Sequence, residues 1–316
     1  MHYLDFERPI AELEGRIVEL KKLAEADPTM DIDGEVERLA DRAGHLVRET
    51  YAHLTPWQKV QVARHPERPH FLDYAKDLFE DYTPLAGDRS FGEDQAVLTG
   101  LARFRGRPVA FIGQEKGNDT QSRIRHNFGS AMPEGYRKAV RLFEMAGRFG
   151  LPVLSFADTS GAYPGVSAEE RGQAEAIARS IEAGLSVKTP FIATVIGEGM
   201  SGGAIAIAAA NRVYMLEHAI YSVISPEGAS SILWRSADKA QEAATALKIT
   251  AQDLRTLGLV DAIVPEPEGG AHRDPAQTIA AVGDQIERGL AELESLSGEA
   301  LVRARRDKFL AMGRAL

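Results

Sequence analysis

The segment GEGMSGGA, Gly197 to Ala204, satisfies three chemical patterns at once. Gly197, Gly199 and Gly202 fit the G-x-G-x-x-G of a dinucleotide site, and Glu217, 20 residues beyond Gly197, stands where a ribose acceptor would. Gly199, Ser201 and Gly203 fit the G-x-S-x-G of a serine hydrolase, with Asp261 and His272 following in the required chain order. The third pattern uses no side chain. Glycines at the start of a helix leave backbone N–H groups bare, and such groups hold an oxyanion. A second glycine-rich turn, DTSGAYPG at Asp158 to Gly165, also follows an apolar strand. Two turns from successive strand-helix units can lie next to each other at one end of a sheet, which favours the backbone pattern. The dinucleotide pattern is weakened because its unit follows at least two others, and His272 in GGAHRDP reads as a surface loop histidine.

A polar cluster, GQEKGNDTQSRIRHNFGSAMPEGYRKA, begins at Gly113 and carries Lys116, Arg123, Arg125, Arg137 and Lys138 among glycines. It is a candidate contact for carboxylates or phosphates. No G-x-x-x-x-G-K-[ST] is present, so ATP binding by this chain has no support. The chain has no cysteine, and its eight histidines contain no H-x-x-x-H pair, so no metal site is expected in it. A net charge of -9 argues against nucleic acid as the main ligand.

These turns need a scaffold. Apolar residues recur at helical spacing over Pro9–Ala26 and again from about Ile32 to His53, predicting a helical hairpin joined by the turn DPTMD. His65 to Asp88 reads as a linker with one helix around Phe71 to Phe79. From Gln95, strands PVAFIGQ, LPVLSFAD, PFIATVIG and RVYML alternate with helices PEGYRKAVRLFEMAGRFG, SAEERGQAEAIARSIEAG and SGGAIAIAAA. That alternation predicts an α/β domain with covered strands. One long helix follows from Asp274, then a basic helix, EALVRARRDKFLAMG, read mainly as a solvated face. The expected division is a helical region at 1–85 and the main domain at 86–316. No run reaches the roughly 20 apolar residues of a membrane span, and MHYLDFERPIAELEG has no signal-like pattern, so a cytoplasmic protein is expected.

The motifs GQEKG, NFGSAMPEGYRKA, DTSGAYPG, AEERGQ, GEGMSGGAIAI and YSVISPEGASSILW, in this order, resemble the carboxyltransferase alpha subunits of bacterial acetyl-CoA carboxylase over nearly the whole chain. Met200 departs from the family pattern, where a further glycine is common, and predicts altered loop stiffness. The resemblance implies a crotonase-like (ClpP/crotonase) α/β fold, a superhelix of β-β-α turns with an N-terminal helical extension and C-terminal helices. It implies carboxyl transfer from carboxybiotin, carried on the biotin carboxyl carrier protein, to acetyl-CoA, giving malonyl-CoA for fatty acid synthesis. An α2β2 assembly with a beta subunit is implied, served by biotin carboxylase, which uses the ATP; the zinc ribbon belongs to the beta subunit. Carried over by motif, the N–H groups of Gly202 and Gly203, with those of the Gly161–Ala162 turn, would stabilise the ureido enolate. Lys116, Arg123, Arg125, Arg137 and Tyr163 would bind substrate. A self-contained crotonase-type acyl-CoA hydratase or hydrolase is the alternative, and it calls for an acid near Ala204 and Ile205, where none stands.

Overall fold

The computed structural model describes residues 2–27 and 30–314. Pro28 and Thr29 of the expected DPTMD turn lie outside the described residues. Helices α1 (Arg8–Ala26) and α2 (Asp33–Ala52) form the expected hairpin. Ile10, Val47 and Tyr51 join Val62 in a small core of their own. A short helix precedes the segment read as a linker, and that segment holds its expected helix together with a strand that was not expected. Helix α3 (Pro56–Ala63) starts at a Thr55 capping box with Pro56 in its first turn, and α4 (Phe71–Leu78) runs directly into strand β1 (Phe79–Pro84). Phe71 and Tyr74 are fully buried in the main core, which is why these aromatics interrupt a polar stretch. Strand β1 lies before the boundary expected at 85, yet it pairs with β2 (Val97–Phe104) as the sheet edge.

Strand β3 (Arg107–Gln114) returns from β2 through a two-residue turn, Arg105 and Gly106, whose positive φ values of 48° and 78° suit a tight hairpin. Helices α5 (Thr120–Arg125) and α6 (Pro133–Phe149) lead to β4 (Val153–Thr159). The helix expected over SAEERGQAEAIARSIEAG is two, α7 (Val166–Glu170) and α8 (Gln173–Ser186), broken where Gly172 takes a φ of 81°. Next come β5 (Phe191–Met200), α9 (Ser201–Ala208), β6 (Arg212–Leu216) and β7 (Ile220–Ser222). Helices α10 (Pro226–Trp234), α11 (Ala240–Ala246) and α12 (Ala251–Thr256) precede β8 (Ala262–Val264). The long α13 (Pro275–Leu293) and basic α14 (Gly298–Ala311) close the chain.

The strands run β1-β2-β3-β4-β5-β6-β8, with β7 paired to the far end of β5. Pairing is antiparallel from β1 to β3 and parallel from there on. Every residue of β4 and β5 is buried, as expected for parallel strands covered on both faces. Thr159 and Gly199 are register partners, so both glycine turns leave the sheet at the same carboxyl edge. That is where ligands bind in open parallel sheets.

The basic helix α14 is anchored to the domain by a buried side chain. Arg305 is fully buried, and its guanidinium donates to the carbonyls of Gly184, Leu185, Val187 and Thr189 at 2.9 to 3.3 Å. These are orphan acceptors at and just beyond the carboxyl end of α8, where a cation is favoured.

Candidate active site

Strand β5 ends in an ordinary extended Met200 (φ -110°), and Ser201 then turns the chain into α9 with a left-handed φ of 53°. Met200 is 1 % exposed and fills a cluster with Val60, Ala63, Ile220, Ala244 and Ile249. A glycine is therefore not required there; the methionine side chain pins the loop to α3 and α11. Helix α9 is held at its other end by Ser155, which donates to the Ile207 carbonyl at 2.6 Å, and Ser180, which donates to Ala206 at 2.6 Å.

The two glycine turns touch. A Cβ on Gly203 would lie 2.8 Å from the Ala162 nitrogen and 2.9 Å from the Gly161 carbonyl carbon, too close to backbone for any side chain. Gln114, wholly buried at the end of β3, fixes this approach: its Nε2 donates to the Gly203 carbonyl at 2.7 Å, and its Oε1 accepts from the Asp158 N–H at 3.0 Å. Gly202 is less constrained, since a Cβ there would meet only Ile177 side-chain atoms at 3.4 Å.

The donors can be counted. The first-turn N–H groups of a helix have no partner within it, and among the described residues no other backbone acceptor takes those of Gly202 or Gly203. In the facing turn the Gly161 N–H is taken by Thr159 Oγ1 at 3.0 Å, and the Tyr163 N–H by the Ala131 carbonyl at 2.9 Å. Ala162 is therefore the donor of that turn. The N–H of Gly161, expected to donate, is thus already paired, and its φ of 131° is one that glycine adopts freely.

Beneath the turns lies a charged network whose members the sequence scattered. Lys116 Nζ sits 2.7 Å from Asp158 Oδ1 and 2.8 Å from Glu198 Oε2. Asp158 Oδ1 also accepts the Glu198 N–H at 2.9 Å, and Arg64 reaches Glu198 at 2.6 Å and Glu227 at 2.5 Å. Burial by itself would raise the Asp158 carboxyl, but the Lys116 ammonium and His70 overcome it and hold Asp158 well below the usual carboxylate range. Glu198 is likewise lowered, with burial opposed by Lys116 and Arg64. Both acids remain charged at neutral pH, paired with cations and weakly basic.

The residues expected to bind substrate do not all lie together. Lys116 is paired with two carboxylates beneath the turns and lines a cleft of about 280 Å³. Arg123 lines the same cleft, donating to the Gly117 carbonyl at 3.3 Å. Arg125 is exposed, whereas Arg137 stands apart on α6, 3.7 Å from Asp88 and 3.9 Å from Glu134. Lys138 is buried against Glu93 and the Asp94 carbonyl. The Tyr163 ring packs over Gly165 in the second turn. A larger apolar cavity of about 460 Å³ opens on the other side, bordered by Ser201, Gly202, Ile205, Tyr221 and Phe309.

Two earlier patterns dissolve. The left-handed Ser201 does form a strained strand-to-helix elbow, yet its triad does not assemble. Asp261 accepts the Val213 N–H at 2.6 Å and pairs with Lys308 on α14. His272 is buried, not a surface residue, and stacks on His65 at 3.7 Å beside the N-terminal helices. Glu217 accepts the Glu266 N–H at 3.2 Å, a structural role at the end of β6. Glu7, His65 and His272 bring potential ligand atoms within 4.8 Å of one another. The stacked rings, tilted by only 17°, point their lone pairs along nearly parallel planes, which do not converge on one ion.

The stack carries a pH prediction. Burial first, then His65, Arg68 and Arg273, lower His272 from 6.5 to about 3. The unfolded chain therefore binds a proton that the folded chain refuses, and the stability present above pH 6.5 is lost as pH falls toward 3. His65 and His218, also lowered by burial, act in the same direction. Urea midpoints are expected to drop between pH 7.5 and 5.5, by less in His272→Gln; an equal drop in both proteins would remove His272 as a cause.

Chains of similar fold are carboxyltransferases and decarboxylases. Transcarboxylase 12S, solved with methylmalonyl-coenzyme A and methylmalonic acid bound, superposes with a TM-score of 0.59 at 21% identity, covering 72% of this chain and 42% of that one. A Pseudomonas malonate decarboxylase hetero-tetramer in complex with coenzyme A gives 0.55 at 18% identity, covering 66% of this chain and 84% of that one. The fold and its paired backbone turns define a crotonase-like carboxyltransferase fold. The sequence model of the family described as acetyl co-enzyme A carboxylase carboxyltransferase-like matches residues 3–313, and the chain belongs to that family. Proteins from Rhizobium johnstonii and Agrobacterium fabrum, both named acetyl-coenzyme A carboxylase carboxyl transferase subunit alpha, are 67% and 64% identical to it over the full length of each chain.

Proposed function

We propose that this chain supplies the alpha half of an acetyl-CoA carboxylase carboxyltransferase, which moves a carboxyl group from carboxybiotin to acetyl-CoA to form malonyl-CoA. The observation that carries the proposal is the contact of Gly203 with Gly161 and Ala162, which brings two glycine turns with unpaired N–H groups against each other. Carboxybiotin, when bound, supplies the carboxyl group and leaves negative charge on its ureido oxygen. The N–H groups of Gly203 and Ala162, joined by the positive end of α9, receive that charge. Lys116 holds the acids under the turns as paired, weakly basic carboxylates, and the proton from the acetyl methyl passes to the donor's own nitrogen. Ala204 and Ile205 follow the glycines where a hydratase would need an acid, which disfavours a self-contained enzyme.

One set of turns makes one oxyanion hole. The thioester enolate needs another, so a beta subunit is the proposed source, in an α2β2 assembly served by a biotin carboxyl carrier protein and biotin carboxylase. The test is the reverse reaction, malonyl-CoA plus biocytin giving acetyl-CoA, with this chain, a cognate beta subunit, and both. Activity is expected in the mixture alone. Robust activity of the lone chain would overturn the divided site, and none in any sample would overturn the carboxyltransferase assignment.

A further inference from the structure

Within NFGSAMPEGYRKA, Phe128 is the residue that folding forces do not explain. Asn127, Phe128 and Gly129 take successive φ values of 46°, 53° and 78°, a left-handed turn. At Gly129 the reason is plain, because a Cβ would strike Lys116 Cγ at 2.8 Å and the Asp158 carbonyl oxygen at 2.9 Å. A bulky aromatic in this conformation is unusual, since left-handed backbone suits glycine and asparagine. Burial offers no compensation, for the ring is 55% exposed. The turn is nonetheless locked, with Asn127 Nδ2 donating to the Ser130 carbonyl at 2.6 Å and the Gly129 N–H to the His126 carbonyl at 2.9 Å.

Phe128 borders the cleft of about 280 Å³ that also holds Lys116, Arg123, Asp158 and Ser160. Ser130 Oγ lies 3.4 Å from Ser160 Oγ, linking the strained turn to the turn that carries Ala162. The cleft floor is charged but internally paired, Lys116 with Asp158 and Glu198, Arg64 with Glu198 and Glu227. A strained, exposed aromatic at the mouth of a small cavity is the kind of outlier that ligand sites retain.

We propose that this turn holds Phe128 as the apolar wall of a substrate subsite beside Ser160, where the ring packs on the uncharged urea or amide face of a substrate arm. The inference rests on the carboxyltransferase assignment, whose two substrates each carry such a face: the bicyclic urea of biotin and the pantetheine amides of the acyl-CoA.

The test uses the complex with a cognate beta subunit. Because glycine accepts φ of 53° freely, Phe128→Gly is expected to keep or raise the melting temperature. It is also expected to raise the KM of biocytin or of malonyl-CoA about tenfold, with kcat changed by less than about twofold. Whichever KM rises identifies the arm. In parallel, Phe128→Trp is titrated with biocytin and with malonyl-CoA separately, against the unsubstituted complex to subtract Trp57 and Trp234. A fluorescence change with one ligand supports the subsite even in a preparation that transfers no carboxyl group. A lower melting temperature with both KM values unchanged, or a tryptophan that neither ligand perturbs, would overturn it.

Discussion

Gly203→Val is expected to lower carboxyl transfer by about a hundred- to a thousandfold, equivalent to about 2.7–4 kcal/mol of transition-state stabilisation. The first atom of the new side chain would sit 2.8 Å from the Ala162 nitrogen and 2.9 Å from the Gly161 carbonyl carbon. Both are backbone atoms, and Gln114 ties the Gly203 carbonyl to Asp158, so neither turn can withdraw without the other. The N–H groups then diverge, and the loss falls on kcat because the charge they meet exists only during transfer. Gly202→Ala is the matched control. Its Cβ would rest 3.4 Å from Ile177 side-chain atoms, an ordinary contact, and a much smaller effect is expected. Steady-state rates of the two variants, each with a beta subunit and each checked for assembly, decide the matter. Equal activity of Gly203→Val and the unsubstituted chain would reduce the glycine turns to scaffold.

Arg305→Ala is expected to destabilise the chain by about 3–4 kcal/mol without touching the site. Its guanidinium serves four carbonyls from Gly184 to Thr189, and Asn211 as well, and pairs with no carboxylate among the described residues. Burial lowers its pKa to about 10, which still leaves it charged at neutral pH. Truncation leaves those acceptors without donors in a place water does not reach. Lysine has one donor group where the guanidinium offers a planar fork, so Arg305→Lys is expected to recover only part of the loss. Urea denaturation measures both, and a shift of Arg305→Ala below about 1 kcal/mol would mean that water or a backbone shift replaces the fork.

The contact between the two turns also explains how much the sequence disclosed. GEGMSGGA and DTSGAYPG each read as a strand running into a helix, and both do so in the structure, because glycine, an apolar run and a following helix leave local marks. The donors inside the turns were less legible. Thr159 reaches its own neighbour's N–H, and nothing in the spacing reveals that Gly161 spends its donor there. The network under the turns was hidden for another reason. Asp158 and Glu198 stand within the glycine-rich segments, a visible signal, but Lys116 comes from the cluster read as a carboxylate or phosphate contact, His70 from the stretch read as a linker, and Arg64 from a segment without a reading. Their pairing depends on the parallel register of β4 and β5, a long-range property without a local pattern. The stretch from His65 to Asp88 was misjudged because Pro66 and Pro69 suggested a linker, while Phe71 and Tyr74 were core. The basic terminal helix misled by composition, since one of its arginines faces inward.

That inward arginine bears on the order in which the molecule is completed. The carbonyls at the end of α8 are made long before Arg305, which is 116 to 121 residues farther along the chain. At synthesis rates of about 5–20 residues per second, the growing chain spends on the order of ten seconds with that helix end uncapped. The residues of β4 and β5 are already made early in this interval, but the side chain that seals their helix is not. Helix α14 thus works as a clasp that closes only after 116 to 121 further residues have been made, and chains stopped before Arg305 would leave the end of α8 open.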